Sequence, residues 1–473
     1  MTDALSPCRV LVLGAGLAGY CATIAAKQAD PGSSVILVCP GVGPTGSSFR
    51  NRNDRLGVHA PRGEDDARAF ADEALRCGAP GYVDPALVAV LAREAGERLD
   101  VLLALGATTL GGAGGGPARF PSCFSPESDR AVILTDLASL FRRLHGLAAG
   151  LGVVIRPGLT AVTLVRDGDR VVGAMLLDDA GKAVFQPAEA VVAAMGGPVP
   201  LFARHMAGPG NPGFGHGLLV EAGARLANTG YMQWMWNTVP GDRFFPLQDL
   251  SIPGWLVTGP TGVSRPVPEA VVAASGGRGG HCPLGNGLAD AALDRFVLSA
   301  AGGDGLVGLT DPAGRALRIT LLPQAANGGA VIDTWGRTSV AGLYAAGECA
   351  TGMHGANRIG GAMVAACLVF GHRAGVAAAG EAVSRPSAGG AALAACRVDA
   401  EARRDVLASL GRLLGAKVSP WGSAPGLLDD LDVLAASATA DTLAARAVQA
   451  GLALAEGLAV TDAEPASPAN PQN

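Results

Sequence analysis

The 473-residue chain reads as an α/β protein with an inserted α+β lobe and a C-terminal helical segment, and three observations predict this. Residues 9–13 (RVLVL), 17–28 and 34–38 (SVILV) give a buried strand, an Ala-rich helix and a second strand, which is a βαβ unit. Between about 235 and 322 the texture changes to irregular Pro- and Gly-rich loops, and residues 343–375 then return to strand, glycine-rich turn and helix. From 384 to about 460 the chain is Ala-rich and helix-forming.

Taken in order, the first element to carry chemistry is the turn inside the βαβ unit. Gly14, Ala15, Gly16, Leu17, Ala18 and Gly19 follow a strand and open a helix, the context that makes GxGxxG a Rossmann-like dinucleotide fingerprint. The first glycine permits the tight turn, the second lets backbone approach a pyrophosphate, and the third lets helix and strand pack. The helix N-terminus adds N–H groups and partial positive charge. The acidic residue expected about 20 positions later, to hold a ribose hydroxyl, is missing. The second strand ends in Val38-Cys39-Pro40, so Cys39 is expected to pack its thiol and to offer only backbone to a ligand.

Residues 84–105 begin with Asp and Pro and carry apolar side chains at helical spacing, predicting one or two helices. A glycine-rich loop at 111–116 follows. Three β-rich runs at 159–166, 171–178 and 190–195, separated by Asp-Gly turns, predict antiparallel strands appended to the parallel sheet. A β-like period returns at 315–322, and the polar, Pro-rich tail 464–473 is expected to be disordered.

Composition narrows the function. Hydrophobic residues at 49% and charged residues at 16% exclude a solvating, disordered chain. The net charge of −5 supplies no whole-protein field for nucleic acid. Lysine is nearly absent, leaving 33 of the 36 basic residues as arginine, and compositional bias explains this better than a phosphate-binding surface. Nine scattered cysteines without C-x-x-C spacing show no disulfide framework, zinc site or iron–sulfur ligand set, and a reducing, cytoplasmic setting fits them. No apolar run outside the glycine-interrupted N-terminal stretch is expected to approach the roughly 18 residues of a membrane span.

The segment GLYAAGECATGMHGANRIGGAMVAACLVFGHRAG, residues 342–375, together with VLGAGLAG near the start, resembles the flavoprotein family of L-aspartate oxidase and the flavoprotein subunits of succinate dehydrogenase and fumarate reductase. Thr45-Gly46-Ser47-Ser48 and the stretches 82–107, 215–228 and 330–347 support the resemblance over about three quarters of the chain. It implies a Rossmann-like FAD-binding domain with an inserted α+β capping domain. The expected parts are residues 1–234 and 331–383 for FAD binding, 235–330 for the cap, 384–460 for the helical region and 461–473 for the tail.

In that family FAD lies with its pyrophosphate on the first glycine loop. Gly347 and Glu348 match the cofactor-contacting end of a strand, and Met363 and Val364 stand at another such turn. Ser47 occupies the place of the flavin-linking histidine, which implies noncovalent FAD. Arg358 matches the arginine that binds a substrate carboxylate, a task suited to its planar fork, although a core ion pair would also account for it. His354 beside it suits catalysis and packing equally.

Departures from the family are specific. Tyr231-Met232-Gln233-Trp234-Met235-Trp236 keeps Gln233 but puts Met235 where a substrate-contacting histidine belongs, and Gln324 replaces a second histidine. His216 replaces a cofactor-side aspartate. The family's Arg-Gly-Glu-Gly stretch has no clear counterpart, while Arg265, Arg278 and His281 lie in the corresponding lobe. Trp234, Met235 and Trp236 would either make an apolar pocket wall or pack in the core.

The expectation is an FAD-dependent oxidoreductase that moves a hydride between flavin N5 and a small carboxylate-bearing substrate, an amino acid or organic acid, with His354, His281 and Arg265 as ordered candidates for the proton. Two alternatives stand beside it. One is a flavin-binding electron-transfer or assembly protein with a degenerate site, the other an oxygen-using amine or amino-acid oxidase. Any iron–sulfur relay would sit on a partner chain, a possible redox partner.

Overall fold

The computed structural model describes residues 3–112, 116–381 and 396–463. The tail 464–473 and the middle of the 111–116 loop lie outside the described residues. The βαβ unit forms from Cys8–Leu13, the helix Leu17–Ala29 and Val35–Cys39. Val35–Cys39 is buried throughout, as suits a strand covered on both faces. Parallel pairing places Val154–Pro157 beside Val35–Cys39, and Cys8–Leu13 between Val35–Cys39 and the long strand Ala183–Ala193.

Ala183–Ala193 joins two kinds of pairing. Its first half runs antiparallel to Arg170–Asp178, which pairs in turn with Leu159–Asp167. Its second half runs parallel to Cys8–Leu13 and to Leu343–Ala345, with Val191 opposite both Leu11 and Leu343. The appended hairpin and the late strand thus meet on one element.

The two ends of the fold also meet through helices. Ala362–Ala379 lies against Leu17–Ala29, where a Cβ on Gly371 would stand 2.7 Å from Ala18 O and one on Gly375 would stand 2.1 Å from Ala22 O. Small residues one turn apart permit that approach. This helix corrects the expectation that no apolar run reaches membrane-span length. By length and composition it would pass, and its burial in the core accounts for its apolar make-up.

Pro85–Ala104 is a single helix whose Asp84 cap accepts from Ala86 N at 2.8 Å, with Pro85 in the first turn. It packs beside the helix Gly63–Gly78 and a small sheet built on Arg55–His59 and Ala131–Thr135.

The inserted lobe is more regular than its loops suggest. Met232–Val239, Ala316–Ala326, Leu306–Thr310, Leu256–Thr258 and Ser264–Pro266 make a five-stranded antiparallel sheet with its own apolar core around Trp236, Phe245, Leu293, Val297 and Ile319. Three of these strands have five residues or fewer, too short for periodicity to rise above the surrounding turn signals. The lobe is anchored by a wholly buried ion pair. Arg278 Nε donates to Asp294 Oδ2 at 2.9 Å, and Trp236 Nε1 donates to Asp294 Oδ1 at 2.8 Å.

The C-terminal helices are Ala400–Lys417, Leu427–Ser437 and Thr442–Ala463. Buried Asp441 ties two of them together, accepting from Arg403 Nη2 at 2.7 Å and from Ala444 N at 3.0 Å.

Candidate functional site

A cavity of about 480 Å³ opens at the carboxyl ends of Cys8–Leu13, Val35–Cys39, Ala183–Ala193 and Leu343–Ala345 and reaches the lobe at Met235, Phe244 and Cys282. Ligand sites of open α/β sheets form at this edge.

The glycine turn is shaped by two different constraints. Gly14 has φ +106°, and a Cβ on it would stand 2.3 Å from Ala194 O; a Cβ on Gly19 would stand 1.8 Å from Gly14 O. Both are required by packing. Gly16 is not, since a Cβ there would meet only Ser48 Oγ at 3.5 Å. Its open side is the cavity, which Ala15, Gly16, Leu17 and Ala18 all line. A phosphate-bearing nucleotide fits this cradle, because the helix N-terminus and the bare backbone of Gly16 face the same space.

Cys39 lines the cavity too, with Sγ donating to Gly41 O at 3.3 Å and its thiol pushed up by burial. Thr45, Gly46, Ser47 and Ser48 form the facing wall on the short helix Gly46–Phe49. Ser48 Oγ accepts from Leu17 N at 3.2 Å, and Ser47 Oγ accepts from Gly208 N at 3.0 Å.

Gly347, Glu348, Met363 and Val364 come to the same cavity from the far end of the chain. Glu348 Oε1 accepts from Ala326 N at 3.0 Å, and a second backbone N–H, from Gly197, also reaches the carboxylate. Burial raises the carboxyl, against the charge of Arg358 and these hydrogen bonds. His216, buried behind Glu348, faces Glu348 O with Nε2 at 3.1 Å; burial lowers its pKa, so the ring is neutral and donates there.

Arg358 lines the cavity and is 8% exposed. Among the described residues its guanidinium makes one hydrogen bond, from Nη1 to Ala326 O at 3.3 Å, and no ion pair. A buried cation with unused donors facing a cavity is a receptor for an anion. Gln324 and Met235 share the wall with it.

Five expected site residues do not line the cavity. Gly19 lies beneath the turn. Gln233 is buried within its strand. His354 is buried, with Nε2 lacking a partner among the described residues and its pKa held well below the usual value by burial and then by Arg358, which makes it a packed neutral ring. His281 stacks on Phe124 at 4.4 Å and binds Asp290 Oδ2 through Nε2 at 2.9 Å and Pro283 O through Nδ1 at 2.6 Å, leaving neither nitrogen for a substrate. Arg265 is exposed on the lobe, its guanidinium 4.7 Å from the Phe296 ring centroid. None of the three ordered proton candidates therefore lines the cavity: His354 and His281 are buried elsewhere and Arg265 lies on the lobe surface. Arg278 is likewise structural, as its ion pair shows. The tryptophans are core residues, Trp234 against Phe202 and Trp236 in the lobe, while Met235 alone of the three faces the cavity.

Sequence reasoning missed Ala194-Met195-Gly196, Asn51, Arg52, Arg55 and Cys282, all cavity residues. The Gly196-Gly197 pair directly after a strand was a usable signal, and Gly196 does adopt φ +87°. Nothing local marks the others.

Fold and site together define a dinucleotide-binding protein of the α/β type. The sequence model of the FAD binding domain family matches residues 9–255 and 311–364; the chain belongs to that family of flavoproteins and is an FAD-dependent oxidoreductase. The interval between the two matched segments, 256–310, is most of the lobe. L-aspartate oxidase of Caulobacter vibrioides is 29% identical over 412 residues, covering 78% of this chain and 76% of that protein. One subunit of the fumarate reductase (CoM/CoB) of Methanothermobacter marburgensis is 56% identical over 57 residues, 12% of this chain and 10% of that protein. In fold the chain is similar to the Mycobacterium smegmatis Sdh1 complex in the apo form, with TM-score 0.70 and 21% identity over 98% of this chain and 86% of that one.

Proposed function

We propose that this protein transfers a hydride between FAD and a carbon of a small carboxylate-bearing substrate, an amino acid or organic acid, held between Arg358 and the lobe. Bound FAD supplies the two-electron acceptor or donor; the chain binds, orients and excludes water. The nucleotide's phosphates are held at Gly14 to Ala18, and Ser47, lacking a ring nitrogen, leaves the flavin noncovalent. Glu348, already carrying two backbone N–H groups, fixes the cavity floor by tying residues 197 and 326 to the late strand.

The observation that carries this reading is that, among the described residues, the buried Arg358 guanidinium makes a single hydrogen bond. Two charge-assisted hydrogen bonds from its planar fork would orient a carboxylate and offset the cost of burying both charges. Gln324 can hydrogen-bond a substrate but cannot exchange a proton at neutral pH. Met235, Phe244 and Cys282 close the lobe side with weakly polar surface.

One observation favours a second reading, an electron-transfer or assembly protein: no histidine lines the cavity among the described residues. Anaerobic titration of the purified holoprotein with a library of carboxylates separates the two. Bleaching of the flavin by at least one compound supports the hydride-transfer reading, and peroxide release on admitting air then assigns oxygen as acceptor. No bleaching by any compound favours the carrier. Among the described residues no His/Cys/Asp/Glu group could hold a metal, so an iron–sulfur relay would have to come from a partner. Arg358→Ala is expected to keep flavin and to lose about 1.5–3 kcal/mol of substrate interaction, roughly 10- to 100-fold. Unchanged kinetics remove Arg358 from the site.

A further inference from the structure

We propose that Cys123 and Cys282 form a reversible disulfide at the cavity wall, a redox modification site that staples the inserted lobe to the nucleotide-binding body. The two residues are 159 positions apart, yet Cys282 N donates to Cys123 Sγ at 3.0 Å, which brings them into direct contact. Both are only partly buried, whereas Cys8, Cys39 and Cys349 are enclosed. Cys282 lines the cavity itself.

Their backbones are fixed from three sides. On the lobe, the wholly buried Arg278 is pinned by Asp294 and donates to His281 O and to Cys282 O, the latter at 3.2 Å. From the body, Phe124 N donates to Gly280 O at 3.0 Å, and the Phe124 ring stacks on His281. From the loop that carries Arg358, Gly360 N donates to Cys123 O at 2.8 Å. Two cysteines held in contact by rigid surroundings lose little further freedom on bonding.

Their chemistry is also divided. The hydrogen bond from Cys282, then its backbone N–H and the charges of His281 and Arg278, bring the Cys123 thiol down to about 6 despite burial, while the same contact drives Cys282 up. At neutral pH this gives one thiolate and one thiol. By contrast, burial pushes Cys21, Cys77 and Cys349 up to about 12, where they are poor nucleophiles.

With hydrogen peroxide as oxidant, the Cys123 thiolate attacks one peroxide oxygen. The S–O bond forms, the O–O bond breaks, and hydroxide leaves and is protonated to water. The Cys282 sulfur, losing its proton, then attacks the sulfenic sulfur; the S–S bond forms and a second water departs. Each sulfur gives up one electron and the peroxide is reduced to two waters. A dithiol reductant reverses the bond. None of this rests on the substrate proposed above.

The test uses purified holoprotein, treated with about one equivalent of peroxide, blocked with an alkylating reagent and digested for peptide mass spectrometry. The expected result is a cross-linked peptide pair containing positions 123 and 282, formed before the other seven of the nine cysteines react and lost again on dithiothreitol treatment. In Cys282→Ser, Cys123 is expected to stop at the sulfenic acid and be trapped by dimedone; in Cys123→Ser, Cys282 is expected to remain alkylatable. The proposal is overturned if the wild-type protein oxidises other cysteines while 123 and 282 stay alkylatable. Over-oxidation of Cys123 without any cross-link overturns it equally.

Discussion

Changing Gly16 to alanine adds one methyl group at a point where the protein has room and the cofactor does not. The new Cβ would lie 3.5 Å from Ser48 Oγ, an ordinary contact, and the backbone φ of −75° suits alanine. Two folding terms oppose each other. Alanine is a poorer helix N-cap than glycine by roughly 1 kcal/mol, and losing glycine's freedom in the unfolded chain returns about 0.4–1 kcal/mol. The flavin-stripped variant should therefore unfold within about 1 kcal/mol of the parent. Binding differs, because the methyl occupies the surface on which a pyrophosphate would rest. A loss of at least about 1.4 kcal/mol, tenfold in affinity, is expected. Gly14→Ala is the contrasting perturbation. Its Cβ would overlap Ala194 O at 2.3 Å and force a left-handed φ of +106° on a residue with a side chain. Overpacking and strain each cost about 1–3 kcal/mol, so stability itself should fall by roughly 2–6 kcal/mol. Urea unfolding of the stripped chain reads the folding term, and quenching of flavin fluorescence during FAD titration reads the binding term. Wild-type FAD affinity in Gly16→Ala would refute the assignment of this turn to the cofactor.

Acid should weaken the fold through its buried histidines. The His59 ring is lowered to about 4 by burial and then by Arg130, and burial also lowers His216 and His354. A depressed folded pKa means that the unfolded chain binds the extra proton, so stability present above about pH 6.5 is lost as pH falls toward the folded value. Between pH 7 and 5.5 His59 should contribute a loss of about 1 kcal/mol. His59→Asn should remove that increment in urea unfolding at the two pH values, and an undiminished pH dependence in the variant would contradict it. Asp294→Ala leaves Arg278 buried without its carboxylate and should cost about 3–5 kcal/mol. Hydrogen exchange should show the loss concentrated in the lobe sheet, and uniform loosening of the whole chain would argue against a separate lobe core.

The part of the site that could be read from the sequence is the part made by local backbone geometry. The positive φ of Gly14 and the approach of Gly19 to Gly14 O arise within six consecutive letters, which therefore carry their reason, although Ala194, at the end of another strand, also crowds Gly14. Arg358 and Glu348 were legible through a family resemblance in one continuous segment, and the structure adds the reason that segment reaches the glycine turn: Gly371 and Gly375 let the helix that follows it touch the backbone of Ala18 and Ala22. The lobe side was not legible, because its residues are selected by contacts across long sequence intervals. Alternation along Met232–Val239 says that Trp234 and Trp236 share a side and Met235 takes the other, but not which side is the cavity. A register shift between Gln233 and Trp234 breaks even that inference for Gln233. His281 looked catalytic because an isolated lobe histidine cannot display Asp290, Pro283 and Phe124, the three groups that occupy its nitrogens and its face.

The same distance effect bears on how the lobe works. Its wall reaches the cavity through Met235, Phe244 and Cys282, and all three depend on the sheet that Arg278 and Asp294 hold together. A charge pair with side chains 1% and 0% exposed gains little net stability over apolar residues of the same volume, but it fixes direction, since both guanidinium edges and both carboxylate oxygens are spoken for. That directional hold aims Cys282 at Cys123 and keeps Met235 on the cavity face. The lobe therefore acts as a preset wall, and the disulfide proposed above would add a covalent bond at the contact that Cys282 N and Cys123 Sγ already make.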